Sequence, residues 1–219
     1  MPRLLFEKKG SAVWISHLDL MRLFQRAFKR ADLALKHTQG FNPRPSVSIA
    51  LPLSVGVESC CELLDFDLEG DPVPCDEICR RLNETLVSGI SVLQVYETGR
   101  KIKDLALLRC KVTLEYDNGI SAEGENAIRN LFHNEEIIVP KKTKNGIQDQ
   151  NIIPMIRRIE VERKNADELC LDALICCQNP TLNPAQLSAA ISLYLPKWAP
   201  DFSKCSRSEI YDNQEVIFR

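Results

Sequence analysis

Apolar positions recur along this chain at two periods, and the switches between them mark out its elements. Leu4 and Phe6 sit inside a strand pattern over 3–8, followed by a Lys9-Gly10-Ser11 turn and a second short strand over 12–15. From Ser16 the period becomes helical: Leu20, Met21, Phe24, Ala27, Phe28, Ala31 and Leu35 share one arc. Ser16-His17-Leu18-Asp19 has the form of a capping box with Asp in place of Glu, so a helix is expected from Ser16 to about Leu33. After the loop 36–45, strands are expected over 47–51 and 60–68; in the latter Leu64, Phe66 and Leu68 alternate with acids. A turn at 71–74, a helix over 76–86 ended by Gly89, and a strand over 91–96 complete the half. The order βαββαβ is ferredoxin-like.

The polar run from Thr98 to Asp104 is the expected joint, and the pattern then restarts. A strand over 108–116 with one wet face leads through Asn118-Gly119 to a helix over 123–132 and a strand over 136–139. Residues 147–156 follow neither period clearly. A hairpin over 158–163 and 169–177 turns at Asn165-Ala166-Asp167, Asn183-Pro184 starts a helix that stops at Pro196, and a last strand is expected over 209–218. The expected architecture is α+β, two tandem ferredoxin-like (βαββαβ) sandwiches with antiparallel sheets, at 1–98 and 105–219. The halves share a pattern but no evident sequence repeat.

Charge changes this picture in one place. The 219 residues carry a net charge of −2, which excludes a polycation such as a histone. Residues 1–45 nevertheless hold nine bases against three acids, a surplus of six that leaves −8 for the rest. Arg22, Arg26 and Arg30 stand at i, i+4 and i+8, with Lys29 beside them, opposite the apolar arc. Like charges at that spacing weaken an isolated helix by about 0.2–0.5 kcal/mol per pair. Such a stripe suits an anionic visitor, a phosphate chain or an acidic surface; a solvated face partly neutralised by Asp19 is the other reading. In the loop Lys36-His37-Thr38-Gln39-Gly40-Phe41-Asn42-Pro43-Arg44-Pro45, two prolines restrict the backbone and Gly40 permits a positive φ. A loop stiffened in this way can present Thr38, Gln39, Asn42 and Arg44 as ready hydrogen-bonding groups, the favoured reading; closing a sandwich with Phe41 as a core plug is the other.

Catalytic chemistry finds little footing. His17 and Asp19 are weak candidates for an acid–base pair, because residues at i and i+2 point about 200° apart around a helix. His37 and His133 have no partner by spacing. Nine cysteines, an odd number in a chain without an apolar leader, are expected as free, mostly packed thiols in the cytoplasm. Cys75 and Cys79 have C-x(3)-C spacing without a second pair, so no metal and no cofactor is expected. The cluster motif of radical S-adenosylmethionine (SAM) enzymes, C-x(3)-C-x(2)-C, would need a cysteine where Leu82 stands. No stretch is long and apolar enough to suggest a membrane span.

Several segments do resemble a family. Phe6-x-Lys8-x-Gly10, Trp14-Ile15-Ser16-His17-Leu18-Asp19-x-x-Arg22, Arg26-Ala27-x-x-Arg30-Ala31 and Gly40-Phe41-Asn42-Pro43-x-Pro45 resemble the opening of a bacterial family named "radical SAM-linked protein". Ser48, Ala50, Pro52-Leu53, Gly56, Glu62 and Asp65 continue the likeness, and the second half follows only loosely. The resemblance implies a domain of unknown function that accompanies a radical SAM protein, with the cluster in that partner. The family usually has His where this chain has Arg44. Arginine does not deprotonate at working pH, so the substitution favours anion contact over base catalysis.

The leading expectation is a non-catalytic accessory module of a radical SAM enzyme that binds RNA or another anionic substrate through Lys8, Arg22, Arg26, Arg30, Thr38, Gln39, Phe41, Asn42 and Arg44. An adaptor docking an acidic surface of the partner without RNA is the alternative, and an enzyme using His17 and Asp19 the remote one. The sheet itself is a poor RNA platform, since Asp65 and Asp67 on the strand 60–68 would repel phosphate.

Overall fold

The computed structural model describes residues 2–143 and 146–219. The chain divides into two compact units, one reaching to Ile102 and taking in Arg219, the other Lys103–Phe218. Among the described residues it is an α+β protein with four α-helices and mainly antiparallel sheet. Among the described residues, no helix is long and apolar enough to cross a membrane.

The first unit runs β1 (Pro2–Lys8), a 3₁₀ turn (Gly10–Trp14), α1 (His17–Arg30), β2 (Val47–Ile49), β3 (Glu58–Phe66), α2 (Cys75–Thr85) and β4 (Ile90–Glu97). β1 pairs antiparallel with both β3 and β4, and β2 pairs antiparallel with β3, so the strands lie in the order β4-β1-β3-β2. Register places Leu4 opposite Leu64 and Val95. Alternation then sends Leu4, Phe6, Leu64 and Phe66 to one face, where α1 brings Leu20, Phe24, Ala27 and Phe28, and α2 brings Ile78 and Leu82. Phe6 meets Phe24 edge to face at 4.8 Å between centroids, and Phe28 meets Phe66 at 4.9 Å.

Local chemistry sets the ends of α1. The Ser16 hydroxyl accepts from the Asp19 amide and donates to its carboxylate, as the capping pattern requires. The helix stops at Arg30 rather than near Leu33, because Asp32 adopts φ +55. Leu33 and Leu35 still reach the core, but from extended backbone bridged to Leu68. The expected strand over 12–15 is instead the 3₁₀ turn: Ala12 bonds back to Lys9, Ile15 bonds back to Ala12, and the Val13 carbonyl accepts from Gly56. Lys9 donates to the Gly89 carbonyl, and Gly89, at φ +86, faces the Lys9 carbonyl too closely for any Cβ to fit.

The second unit runs β5 (Leu105–Glu115), α3 (Ala122–Leu131), β6 (Ile138–Thr143), β7 (Gly146–Asn151), β8 (Ile156–Arg163), β9 (Glu168–Cys176), α4 (Ala185–Tyr194) and β10 (Phe202–Asp212). Its sheet has the antiparallel order β10-β5-β9-β8, while β6 and β7 form a separate hairpin between α3 and β8. The ambiguous residues 147–156 are thus largely β7 and a 3₁₀ turn at Ile153–Met155. The last strand lies earlier than the expected 209–218. β10 pairs from Phe202 opposite Glu115 to Asp212 opposite Leu105, after which the chain turns at Glu215, φ +61, and Phe218 returns to donate to Ile210. The polar run Ser203, Lys204, Ser206 and Ser208 hides this strand, and the apolar tail Val216-Ile217-Phe218 mimics one.

Candidate functional site

The cationic stripe of α1 faces solvent. Arg22, Arg26, Lys29 and Arg30 are all exposed, opposite the buried arc of Leu20, Phe24, Ala27 and Phe28. Arg22 pairs with Asp19 at 3.0 Å across open solvent. The Ser16 hydroxyl, then Arg22, hold the Asp19 carboxyl below its ordinary range, so Asp19 is a carboxylate near neutral pH. Arg26, Lys29 and Arg30 make no ion pair among the described residues. Three adjacent cations without internal counter-charge leave a local positive field on this face.

The loop after α1 is closed at its base. His37 bridges to Pro45, Thr38 donates its amide to the Arg44 carbonyl at 2.8 Å, and the Thr38 hydroxyl accepts from the Arg44 amide at 3.0 Å. Thr38 is therefore the clip of the loop, with its amide and a hydroxyl lone pair engaged inside it, while the residue itself is exposed. Beyond the clip, Gln39, Gly40, Phe41, Asn42 and Pro43 are exposed, as is the Arg44 side chain's residue. Phe41 is fully exposed and plugs no core. Gly40 sits at φ +132, which only glycine adopts readily. The helix and the loop base meet in a groove of about 410 Å³ whose lining includes Gln25, Lys29, Asp32, His37, Pro45 and Glu69. That groove has mixed charge, and the loop tip residues do not line it.

Lys8 is a correction. It is 1% exposed and donates to the Val13 and Ile15 carbonyls at 3.1 and 2.7 Å, so it braces the 3₁₀ turn from inside and cannot meet a ligand. Asp65 is a second: it is buried in an ion pair with Arg3 and does not front the sheet as a repelling acid. His17, at the first turn of α1, is partly buried, with its Nδ1 buried and unbonded among the described residues. The Asp19 carboxylate is taken by Ser16 and Arg22, so the structure does not form the His17–Asp19 pair. His133 Nδ1 donates to the Arg129 carbonyl one turn back. All nine cysteines are free, and among the described residues no three His, Cys, Asp or Glu side chains gather as a metal would need.

Two features escaped the sequence. Trp14 is 72% exposed at the end of the 3₁₀ turn, and Leu18 is 67% exposed one helical turn further on; the signal available was their place inside Trp14-Ile15-Ser16-His17-Leu18, where two apolar residues fall off the buried arc. The second unit has a cavity of about 260 Å³ lined by Arg109, Arg158, Glu160, Asp172, Leu174 and Tyr211. Both of its arginines are paired internally: Arg109 forms a two-point pair with Asp172, and Arg158 pairs with Glu215 at 2.9 Å. The α1 face is the less compensated of the two.

The sequence profile of a family described as an uncharacterized protein conserved in bacteria (DUF2344) matches residues 2–184. No curated protein matches the chain. Among solved structures, a chain of a Cbf5-Nop10-Gar1 complex is similar in fold, with TM-score 0.54 and 10% identity over 95% of this chain and 48% of that one. A chain in the structure of an H/ACA RNP bound to a substrate RNA containing 2′-deoxyuridine is similar with TM-score 0.51 and 8% identity, over 94% of this chain and 46% of that one. The chain spans about half the length of these solved chains, and at such identities the likeness is one of fold.

Proposed function

We propose that this chain, which belongs to the DUF2344 family of uncharacterized proteins conserved in bacteria, is a non-catalytic RNA-binding module that works through the outer face of α1 and the loop that follows it. The observation that carries the reading is the run of Arg26, Lys29 and Arg30, exposed on one helix face with no ion pair among the described residues. Phosphate contacts from such a stripe fix the position of a strand without reading its sequence, and the exposed Phe41 at the loop tip offers a stacking surface. We take each unit to be a ferredoxin-like sandwich, supported by the last-first-third-second strand order in each, with the β6–β7 hairpin as an insertion in the second. One of the solved chains of similar fold belongs to an H/ACA RNP bound to a substrate RNA, which agrees with an RNA ligand here. The resemblance to radical SAM-linked proteins supplies the remaining part of the reading, that the RNA is presented to a radical SAM enzyme.

The test is direct. Single-stranded RNA bound through three arginines loses affinity with salt at a log–log slope of about −2. Replacing Arg22, Arg26 and Arg30 together by Gln should abolish both the affinity and the slope while leaving the thermal unfolding midpoint in place. Capture of an acidic protein from lysate that persists after ribonuclease treatment, with no RNA bound, would overturn the RNA reading in favour of an adaptor.

A further inference from the structure

Trp14 is held by a well-anchored backbone and is nonetheless largely open to solvent. Gly56, at φ +83, lies against the six-membered ring: a Cβ there would stand 3.6 Å from Trp14 Cζ3. The Gly56 amide donates to the Val13 carbonyl at 2.9 Å and fixes that approach. The neighbouring Ala12 and Val13 are buried, and the Lys8 ammonium donates to the Val13 and Ile15 carbonyls on both sides of Trp14. The backbone that carries the indole is thus anchored at three points, yet the residue remains 72% exposed. A large aromatic left in water on a rigid mount contributes little to the fold and loses little entropy when something packs on it.

Its position matters as much as its exposure. Leu18 is exposed one turn into α1, and Arg22, Arg26 and Arg30 continue from there at intervals of four residues, each step rising about 6 Å along the axis. The indole is carried by the turn that leads directly into α1, the helix whose exposed residues include these cations. We infer that Trp14 is a base-stacking site: an unpaired base of a single-stranded RNA packs on the exposed indole while the adjoining phosphates run along Arg22, Arg26 and Arg30. A duplex would keep its bases stacked on each other and unavailable, so the ligand class is single-stranded RNA. Charge favours a polyanion with planar groups here, because an indole face is attractive to a base and the neighbouring guanidiniums to its phosphate. This inference rests on the RNA reading above and specifies which form of RNA it takes.

The experiment uses the full chain, a dye-labelled single-stranded oligoadenylate, and the same strand annealed to its complement. Intrinsic fluorescence of the wild type is compared with that of Trp14→Phe, so that the difference isolates Trp14 from Trp198, the other tryptophan. The single strand should quench the Trp14 component, and Trp14→Ala should weaken binding about tenfold or more with the salt slope unchanged, while Trp14→Phe keeps most of the affinity. Because Trp14 is exposed, unfolding midpoints of both variants should match the wild type. If the oligonucleotide binds with the expected salt slope but Trp14→Ala binds as tightly as the wild type, the stacking site is overturned and the cationic face stands. Preference for the duplex also overturns it. Failure of the wild type to bind either form of RNA overturns the RNA reading itself.

Discussion

Arg3 and Asp65 stand directly opposite each other on β1 and β3 and are joined at two points, Nε to Oδ1 at 2.6 Å and Nη2 to Oδ2 at 3.1 Å. Both are buried, at 1% and 8% exposure. The same Nη2 donates to the Arg100 carbonyl. Breaking a buried pair from one side leaves the other charge stranded, whereas replacing both ends removes the problem. Asp65→Asn should therefore lower stability by about 3–5 kcal/mol, and the double variant Arg3→Met, Asp65→Leu should recover most of the loss. Denaturant midpoints measure both. Neither side chain reaches the surface of α1, so RNA affinity per folded molecule should not change.

Lys8 makes a parallel case, in which a charge acts through carbonyls. Its ammonium holds Val13 and Ile15, the residues on either side of Trp14. Lys8→Met should cost about 1–3 kcal/mol, the scale of a buried charged donor's hydrogen bonds. It should leave the salt slope of RNA binding unaltered, because the lost charge faces no ligand. A slope shallower by about 0.7 would instead place Lys8 on a phosphate.

These two residues show where sequence reasoning reached and where it stopped. The apolar arc Leu20, Phe24, Ala27 and Phe28 and the Ser16–Asp19 cap specify α1 almost completely, because period and capping are local properties. The same holds for β3 and α2, where Leu64, Phe66, Ile78 and Leu82 mark the buried face. Charge is different: nine bases in the first 45 residues give a surplus of six, but a count cannot tell that Arg3 and Lys8 spend theirs inside. Partners of that kind come from register, Arg3 opposite Asp65, and register is set by the whole sheet. The hairpin β6–β7 was illegible for the opposite reason, since most of β7 is exposed and its side chains report no face.

The loop after α1 separates a clip from a contact. Thr38→Val removes the acceptor for the Arg44 amide while keeping the shape, and should loosen the loop at a cost of about 0.5–1.5 kcal/mol. Phe41→Ala removes a side chain that is fully exposed and should leave stability unchanged. If the loop tip serves the RNA face, Phe41→Ala should weaken single-stranded RNA binding by about 1 kcal/mol or more, the lower end for loss of one aromatic stack. Amide hydrogen exchange at Arg44 should quicken in Thr38→Val and stay the same in Phe41→Ala, so the two effects are read apart.

The thiols give a prediction in pH. Burial pushes Cys110 and Cys177 up to about 12, and Cys205 up to about 11. A raised thiol pKa favours the neutral form, so at pH 8 a group at 12 is on the order of one part thiolate in ten thousand. Alkylation needs the thiolate. In the native protein at pH 8, iodoacetamide should modify the half-buried Cys75 on α2 while Cys110 and Cys177 stay unmodified, and at pH 9 Cys110 and Cys177 should still resist it. Added denaturant should release both at the unfolding midpoint, since unfolding removes the burial that holds their protons. Mass spectrometry of the digested protein resolves the sites. Labelling of Cys110 at the rate of Cys75 in the folded chain would mean that the interior of the second unit opens far more readily than its packing of β5 against β9 and β10 implies.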